Sequence, residues 1–127
     1  AAETHGATDE IYPFHLESQP SSIVVDWAPM IHEILDELNS GLPTGHIAAK
    51  FHNTLANIIA TVATNLGETH VLLTGGCFQN SVLSCRTVEQ LRAVGCTPYW
   101  HQHVPPNDGG LALGQMIAAA RVLKPCA

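Results

Sequence analysis

The chain has 127 residues and a mass of 13.6 kDa, which fits one compact domain and excludes a second domain with its own core. With 46% apolar and 13% charged residues, the chain can fill a core and does not belong to the disordered class. Eleven Asp and Glu residues against five Lys and Arg residues give a net charge of -6, and the basic residues form no run, which argues against a nucleic-acid partner.

No segment has the character of a membrane span or a signal peptide. The least charged stretch, residues 51–67, is interrupted by Asn and Thr and lacks the roughly twenty consecutive apolar residues that a span needs. Residues 1–10 are small and polar, so we predict a flexible end there and one domain over residues 11–124. The four cysteines include no CxxC pair, which favours free thiols in a reducing cytoplasm, with an inter-chain or functional role as the alternative.

The first predicted elements are two strands and a helix. Apolar and polar residues alternate over 12–16, which indicates a half-buried strand, and a second strand is predicted over 23–25. Asp26 is a candidate N-cap for a helix with one apolar face, and Gly41 ends that helix.

A longer helix and a buried strand come next. Thr44 can cap a helix in which apolar residues recur every three or four positions until Gly67 ends it. The continuous apolar run at 71–73 predicts a strand covered on both faces.

The remaining elements complete an α/β layer fold. A helix is predicted over 80–94, a strand over 97–102 and a last helix over 109–123. The order is β-β-α-α-β-α-β-α, and the strand-helix-strand unit over 71–102 should close as a right-handed parallel crossover.

A glycine pair lies between the buried strand and the helix that follows it, in the segment TGGCFQN at 74–80. Because Gly75 and Gly76 have no Cβ, backbone amides there can approach a ligand closely, and the start of a helix favours an anion such as phosphate. The pair equally allows a tight turn without any ligand.

A second candidate loop is VPPNDGGLALGQ at 104–115, which follows the next strand and contains Asp108. Loops after parallel strands lie at the same edge of a sheet, so this loop and the glycine pair should be neighbours. Asp108 could bind a ligand, or it could be only the N-cap of the last helix, which is worth about 1 kcal/mol.

Histidines give a third candidate. His101 and His103 lie on one face of a predicted strand within reach of Asp108, which could form a two-His-one-carboxylate metal set, or they could be solvated histidines at a strand end. His52 borders the apolar face of the long helix and fits a hydrogen-bonded structural histidine better than a ligand.

Three segments in this order and spacing resemble the C-terminal end of the HypF-type hydrogenase-maturation carbamoyltransferases: AAKFHNTLA at 48–56, LLTGGCFQN at 72–80 and VPPNDGGLALGQ at 104–115. The resemblance extends from about Tyr12 to Val122. The last domain of that family is similar to the Kae1 type, an actin-like (ASKHA) fold of two lobes with a nucleotide in the cleft. This chain resembles the second lobe.

The resemblance implies part of an ATP-dependent carbamoyltransferase. In the family, the enzyme uses carbamoyl phosphate and ATP to form a carbamoyl adenylate, and it transfers the carbamoyl group to the C-terminal cysteine of a HypE-like partner during [NiFe]-hydrogenase maturation. By resemblance, Gly75 and Gly76 form the phosphate-side loop with Asn80 close by, and Asp108 is a ligand of the divalent metal in the cleft. Gly110 lets the last helix approach the nucleotide.

The first lobe, which carries metal-binding histidines in an HxxxH motif, is absent from this chain. We therefore expect this lobe alone to bind neither nucleotide nor metal tightly and to depend on the missing first lobe. Three alternatives are a partner-binding module without catalysis, a lobe of a related O-carbamoyltransferase, and a small metal-binding protein built on His101, His103 and Asp108.

Overall fold

A computed structural model describes residues 8–20 and 22–122 of the chain. Most of the predicted flexible end and the last two residues of the predicted domain therefore lie outside the described residues. The described elements follow the predicted order, with a short 3-10 helix before each of the last two helices. They are β1 (His15–Gln19), β2 (Ser22–Asp26), α1 (Ala28–Asn39), α2 (Thr44–Asn65), β3 (His70–Leu73), a first 3-10 helix (Gly76–Gln79), α3 (Ser81–Ala93), β4 (Thr97–Trp100), a second 3-10 helix (Asp108–Gly110) and α4 (Leu111–Val122).

The strands form two separate two-stranded sheets. β1 pairs with β2 in antiparallel register, and β3 pairs with β4 in parallel register from His70 opposite Thr97 to Leu73 opposite Trp100. α3 connects β3 to β4, so the predicted parallel strand-helix-strand unit is confirmed.

One core cluster lies where α2 and α3 pack on the parallel sheet. Small side chains on α2 allow the two helices and the sheet to approach closely, and Leu73 and Leu91 fill the space between them. The buried members of this cluster are Ala60, Ala63, Leu73, Leu91 and Cys96. None of the helices in the described part of the chain is long and apolar enough to span a bilayer.

The parallel sheet is covered on one face only, so the prediction of a strand buried on both faces is wrong. Leu73 is buried against α2 and α3, whereas Leu72 is 66% exposed on the opposite face. Tyr99, which pairs with Leu72 in the register, is 51% exposed on the same outer face. The apolar run at 71–73 therefore includes a residue on a face of the sheet that no described element covers.

The first strand lies three residues later than predicted. Tyr12 is fully buried outside any strand, and its backbone N–H donates to Thr54 Oγ1 at 2.7 Å. The burial of Tyr12 therefore arises from packing against α1 and α2 and not from strand pairing, whereas Leu16 lies in β1 and pairs with Val25.

Two predicted helix caps also differ from the structure. Thr44 is the first residue of α2 and provides no side-chain cap, because Pro43 precedes it in the cap position. Asp26 lies one residue before the cap position of α1, yet its Oδ1 still accepts a hydrogen bond from the N–H of Ala28 at 2.9 Å.

β4 and α4 are shorter than predicted. The ladder ends at Leu73 and Trp100, because the chain turns away at Gly75 and leaves residues beyond Trp100 without a strand partner. α4 begins at Leu111, because Asp108–Gly110 form a 3-10 turn first.

A buried lysine joins α1, α2 and the segment before β1. The Lys50 side chain is only 8% exposed, and its Nζ lies 2.6 Å from Glu33 Oε1 and 2.7 Å from Glu37 Oε1. The Tyr12 hydroxyl donates to the other oxygen of Glu37, and Lys50 Nζ lies 4.3 Å from the centre of the Tyr12 ring.

The charges of this network reinforce one another. Burial alone would raise the pKa of Glu37, but hydrogen bonds from Lys50 and Tyr12 outweigh burial and lower it. Burial alone would lower the pKa of Lys50, but its bonds to Glu33 and Glu37 raise it. Both groups are therefore charged at neutral pH.

We predict that Lys50→Met lowers the free energy of unfolding by about 3 kcal/mol at pH 7, because it leaves Glu37 charged and largely buried without its cationic partner. Urea denaturation of the 127-residue chain measures this change, and adding Glu37→Gln should restore part of the loss. An equal loss in the single and double variants would contradict the ion pair.

The contributions of Glu37 and Lys50 to the free energy of unfolding are lost in opposite directions of pH. The contribution of Glu37 is present above the ordinary carboxyl pKa of about 4.3 and is lost as the pH falls through its lowered pKa. The contribution of Lys50 is present below about pH 10 and is lost as the pH rises through its raised pKa. Lys50→Met should weaken the loss of stability in acid and abolish the part of the alkaline loss that comes from Lys50, as measured by urea denaturation across pH.

Candidate functional site

The two loops that follow the parallel strands meet at one edge of the sheet. The loop after β3 begins at Thr74, and the segment after β4 runs from His101 to Gly110. The backbone N–H of Gly75 donates to the carbonyl of Pro106 at 2.7 Å, which joins the two loops directly. The expected proximity of the glycine pair and the Asp108 loop is therefore confirmed.

The two glycines of the pair have different structural roles. Gly75 has a φ of 107°, in the region that favours glycine, so a side chain there would strain the turn. A Cβ on Gly76 would lie 3.9 Å from the Asn107 Cβ, which is ordinary contact. Backbone conformation thus explains why position 75 is a glycine, and it does not explain why position 76 is one.

Asn107, and not Asp108, caps the turn that leads into α4. Asn107 Oδ1 accepts a hydrogen bond from the N–H of Gly109 at 3.0 Å. Asp108 is exposed, and its carboxylate accepts no hydrogen bond from any residue within 8–20 and 22–122. The interpretation of Asp108 as only an N-cap is therefore wrong, and its carboxylate is available to a ligand.

Gly110 allows the second loop to fold tightly against the start of α4. A Cβ at this position would lie 2.7 Å from the carbonyl oxygen of Pro105 and 3.2 Å from Cγ1 of Val104. No side chain fits there without moving the backbone of Pro105.

Between the loops and α4 lies an open depression of about 520 Å³. Among the described residues that line it, Asp108 is the one acidic residue and none is Lys or Arg. The first turns of α4 also line it, so the positive end of that helix contributes to its potential. The lining residues are Thr74, Gly75, His101, Pro105, Pro106, Asn107, Asp108, Gly110, Leu111, Gly114, Gln115 and Ala118.

The structure brings three of the five predicted site residues into this depression, namely Gly75, Asp108 and Gly110. Gly76 lies beside it against Asn107. Asn80 faces elsewhere, since its Oδ1 accepts hydrogen bonds from two backbone N–H groups at the start of α3, at 3.0 and 3.1 Å. A direct contact of Gly76 or Asn80 with a nucleotide stays a prediction.

The three-residue metal set proposed from the histidines is not assembled. His101 lines the depression, with Nε2 3.2 Å from Thr74 Oγ1, whereas His103 does not line it. In the part of the chain that the structure describes, no three His, Cys, Asp or Glu side chains converge on a metal position. Among the described residues, Asp108 therefore has no set of His, Cys, Asp or Glu neighbours that would complete a cation site with it.

Sequence reasoning missed Asn107 and the Thr74–His101 contact. The signal for Asn107 was present, because Asn two residues before a glycine at a helix start is typical of a side-chain capped turn. Nothing local indicates that Thr74 and His101 touch, because they are 27 positions apart.

We predict that Gly110→Ala lowers the free energy of unfolding by about 1–3 kcal/mol, because the added methyl group overlaps the Pro105 carbonyl. Hydrogen exchange at the Gly75 N–H should also accelerate, because its acceptor lies in the displaced loop. Gly45→Ala in α2 is the matched control, since nothing lies within 4 Å of its Cβ. Equal effects of the two substitutions would contradict the close approach.

The family model and the relatives described below all carry the name carbamoyltransferase. Residues 1–115 match the family described as carbamoyltransferase, Kae1-like domain, second subdomain. Carbamoyltransferase HypF of Synechocystis sp. is 43% identical over 111 residues, which are 87% of this chain and 14% of that protein. Carbamoyltransferase HypF of Rhizobium leguminosarum bv. viciae is 38% identical over 104 residues, 78% of this chain and 13% of that protein.

A solved structure agrees with these sequences. The crystal structure of full-length HypF in the phosphate- and nucleotide-bound form superposes with a TM-score of 0.84 and 33% identity, covering 95% of this chain and 16% of that one. The chain thus spans about one seventh of the length of these relatives. It belongs to the HypF carbamoyltransferase family and has the α/β fold of the second subdomain of the Kae1-like domain.

Proposed function

We propose that this chain supplies one half of a carbamoyltransferase site that uses carbamoyl phosphate and ATP. The carbamoyl group would first form a carbamoyl adenylate and would then be transferred to the C-terminal cysteine of a HypE-like acceptor. This transfer would take place in the cytoplasm, during [NiFe]-hydrogenase maturation. The observation that carries the proposal is the convergence of Gly75, Asp108 and Gly110 on one depression at the edge of the parallel sheet. The relatives are named carbamoyltransferases, and the similar structure is described as phosphate- and nucleotide-bound.

The depression has features that suit a phosphate group. Gly75 places no side chain in it, and the positive end of α4 faces the same space. The N–H groups of Gly75 and Gly110 are bonded to the carbonyls of Pro106 and Asn107, so they hold the loops in place. With no Lys or Arg among the described lining residues, the charge of a triphosphate needs another partner.

Asp108 fits that requirement as an oxygen ligand for a divalent cation. Such a cation, when bound, would offset phosphate charge and favour departure of the phosphate leaving group. Asp108 is a single carboxylate, so phosphate oxygens, water and a facing lobe would complete the ligand set. This supports the expectation that the lobe alone holds neither nucleotide nor metal tightly.

The uncovered apolar surface supports dependence on a first lobe. Leu72 and Tyr99 lie on the open face of the sheet, and no side chain of α4 is buried, with Met116 70% exposed. Apolar surface of this kind marks an interaction face. A partner-binding module without catalysis would use the same surface, and substitution of Asp108 separates the two functions.

We predict that Asp108→Asn, made in the full-length protein that carries this lobe, lowers carbamoyl transfer about 100-fold, because the variant keeps the side-chain shape and removes the cation ligand charge. The readout is mass spectrometry of the HypE-like acceptor, with Mg²⁺ varied, since excess cation should rescue part of the activity.

Glu89→Gln is the matched control, because Glu89 is an exposed carboxylate on α3 outside the depression. Activity of Asp108→Asn equal to that of the control would contradict the assigned role and would favour the partner-binding module.

A further inference from the structure

The side chain of Asn80 has a fixed orientation. Its Oδ1 accepts hydrogen bonds from the backbone N–H groups of Val82 and Leu83 at 3.0 and 3.1 Å, which cap α3. The amide nitrogen must therefore point the other way, where Nδ2 lies 2.9 Å from His52 Nε2.

This orientation assigns a hydrogen-bonding role to each ring nitrogen of His52. An amide nitrogen only donates, so His52 Nε2 is the acceptor in this contact. The other ring nitrogen, Nδ1, lies 2.7 Å from the carbonyl oxygen of Ala48, which only accepts. Both contacts are satisfied by one form of the side chain, the neutral imidazole with its proton on Nδ1.

Asn80 is also the last residue of the segment that begins at the glycine pair. Its backbone N–H donates to the carbonyl of Cys77 at 3.1 Å, and Ser84 Oγ donates to the carbonyl of Phe78 at 2.7 Å. The only side-chain hydrogen bond from α2 to this segment, among the described residues, is that of His52. The loop at 75–80 is thus braced from α3 by Ser84 and from α2 by His52.

We propose that His52 is a positioning residue for the phosphate-side loop: as the neutral Nδ1–H imidazole it holds the Asn80 amide, and through it the segment that presents Gly75 to the depression. The inference rests on the proposed function for the ligand, a phosphate group. It goes beyond that function by assigning Asn80 to the architecture of the loop and His52 to its support.

The test uses the full-length protein that carries this lobe, with two readouts. Hydrogen exchange in the absence of ligand should accelerate about fivefold over residues 74–80 in His52→Leu, because one hydrogen bond is lost. His52→Gln should restore protection, because its terminal oxygen can reach the position of Nε2, whereas His52→Asn is too short. His32→Leu is the control, since His32 is an exposed histidine on α1.

The second readout is carbamoyl transfer. His52→Leu should raise the KM for ATP about tenfold, with a smaller change in kcat, because the loop is less ordered before it binds phosphate. In an Asn80→Ala background, His52→Leu should have little further effect on exchange or KM, since His52 acts through Asn80.

Unchanged exchange at 74–80 in His52→Leu, or equal effects with and without Asn80→Ala, would overturn the inference. Faster exchange around Leu91 in the core would reveal a general loss of folding in His52→Leu. In that case His52→Gln is the deciding variant, because it should restore protection at 74–80. A wild-type protein without carbamoyl transfer would overturn the proposed function, and the exchange measurements would still decide the role of His52.

Discussion

Parallel pairing of β3 with β4 is the constraint on which the site depends. Two strands that run in the same direction end at the same edge, so the loops after Leu73 and Trp100 must become neighbours. The crossover through α3 makes this pairing possible, and the core of α2 and α3 holds the sheet from one face. The hydrogen bond from Gly75 to Pro106 is the local consequence, and it places the glycine pair beside Asp108.

Under the proposed function, the resulting depression would recognise a charged ligand with few charged side chains of its own. The positive end of α4 and a carboxylate that can hold a cation are the groups it offers, and Gly75 and Gly110 allow the two loops to pack closely around it. Such a site needs a rigid backbone. Asn80 supplies this rigidity by capping α3 and Asn107 by capping the 3-10 turn before α4, and His52 extends the support to α2.

Periodicity and the rule for parallel crossovers were sufficient to predict the element order and the meeting of the two loops, because both depend on local pattern and chain direction. They were insufficient for Tyr12, whose burial depends on Thr54, 42 positions away. The exposure of Leu72 could not be predicted either, since an apolar run does not show which of its faces this chain itself covers. Likewise, the contact of His52 with Asn80 joins residues 28 positions apart.

The most direct test of the central claim is hydrogen exchange of the full-length protein with and without ATP and Mg²⁺. If the two loops form one phosphate site, the ligand should slow exchange in residues 74–80 and 104–111 together, and should do so only when the cation is present. Protection of neither segment, or of one without the other, would contradict a shared site at the edge of the parallel sheet.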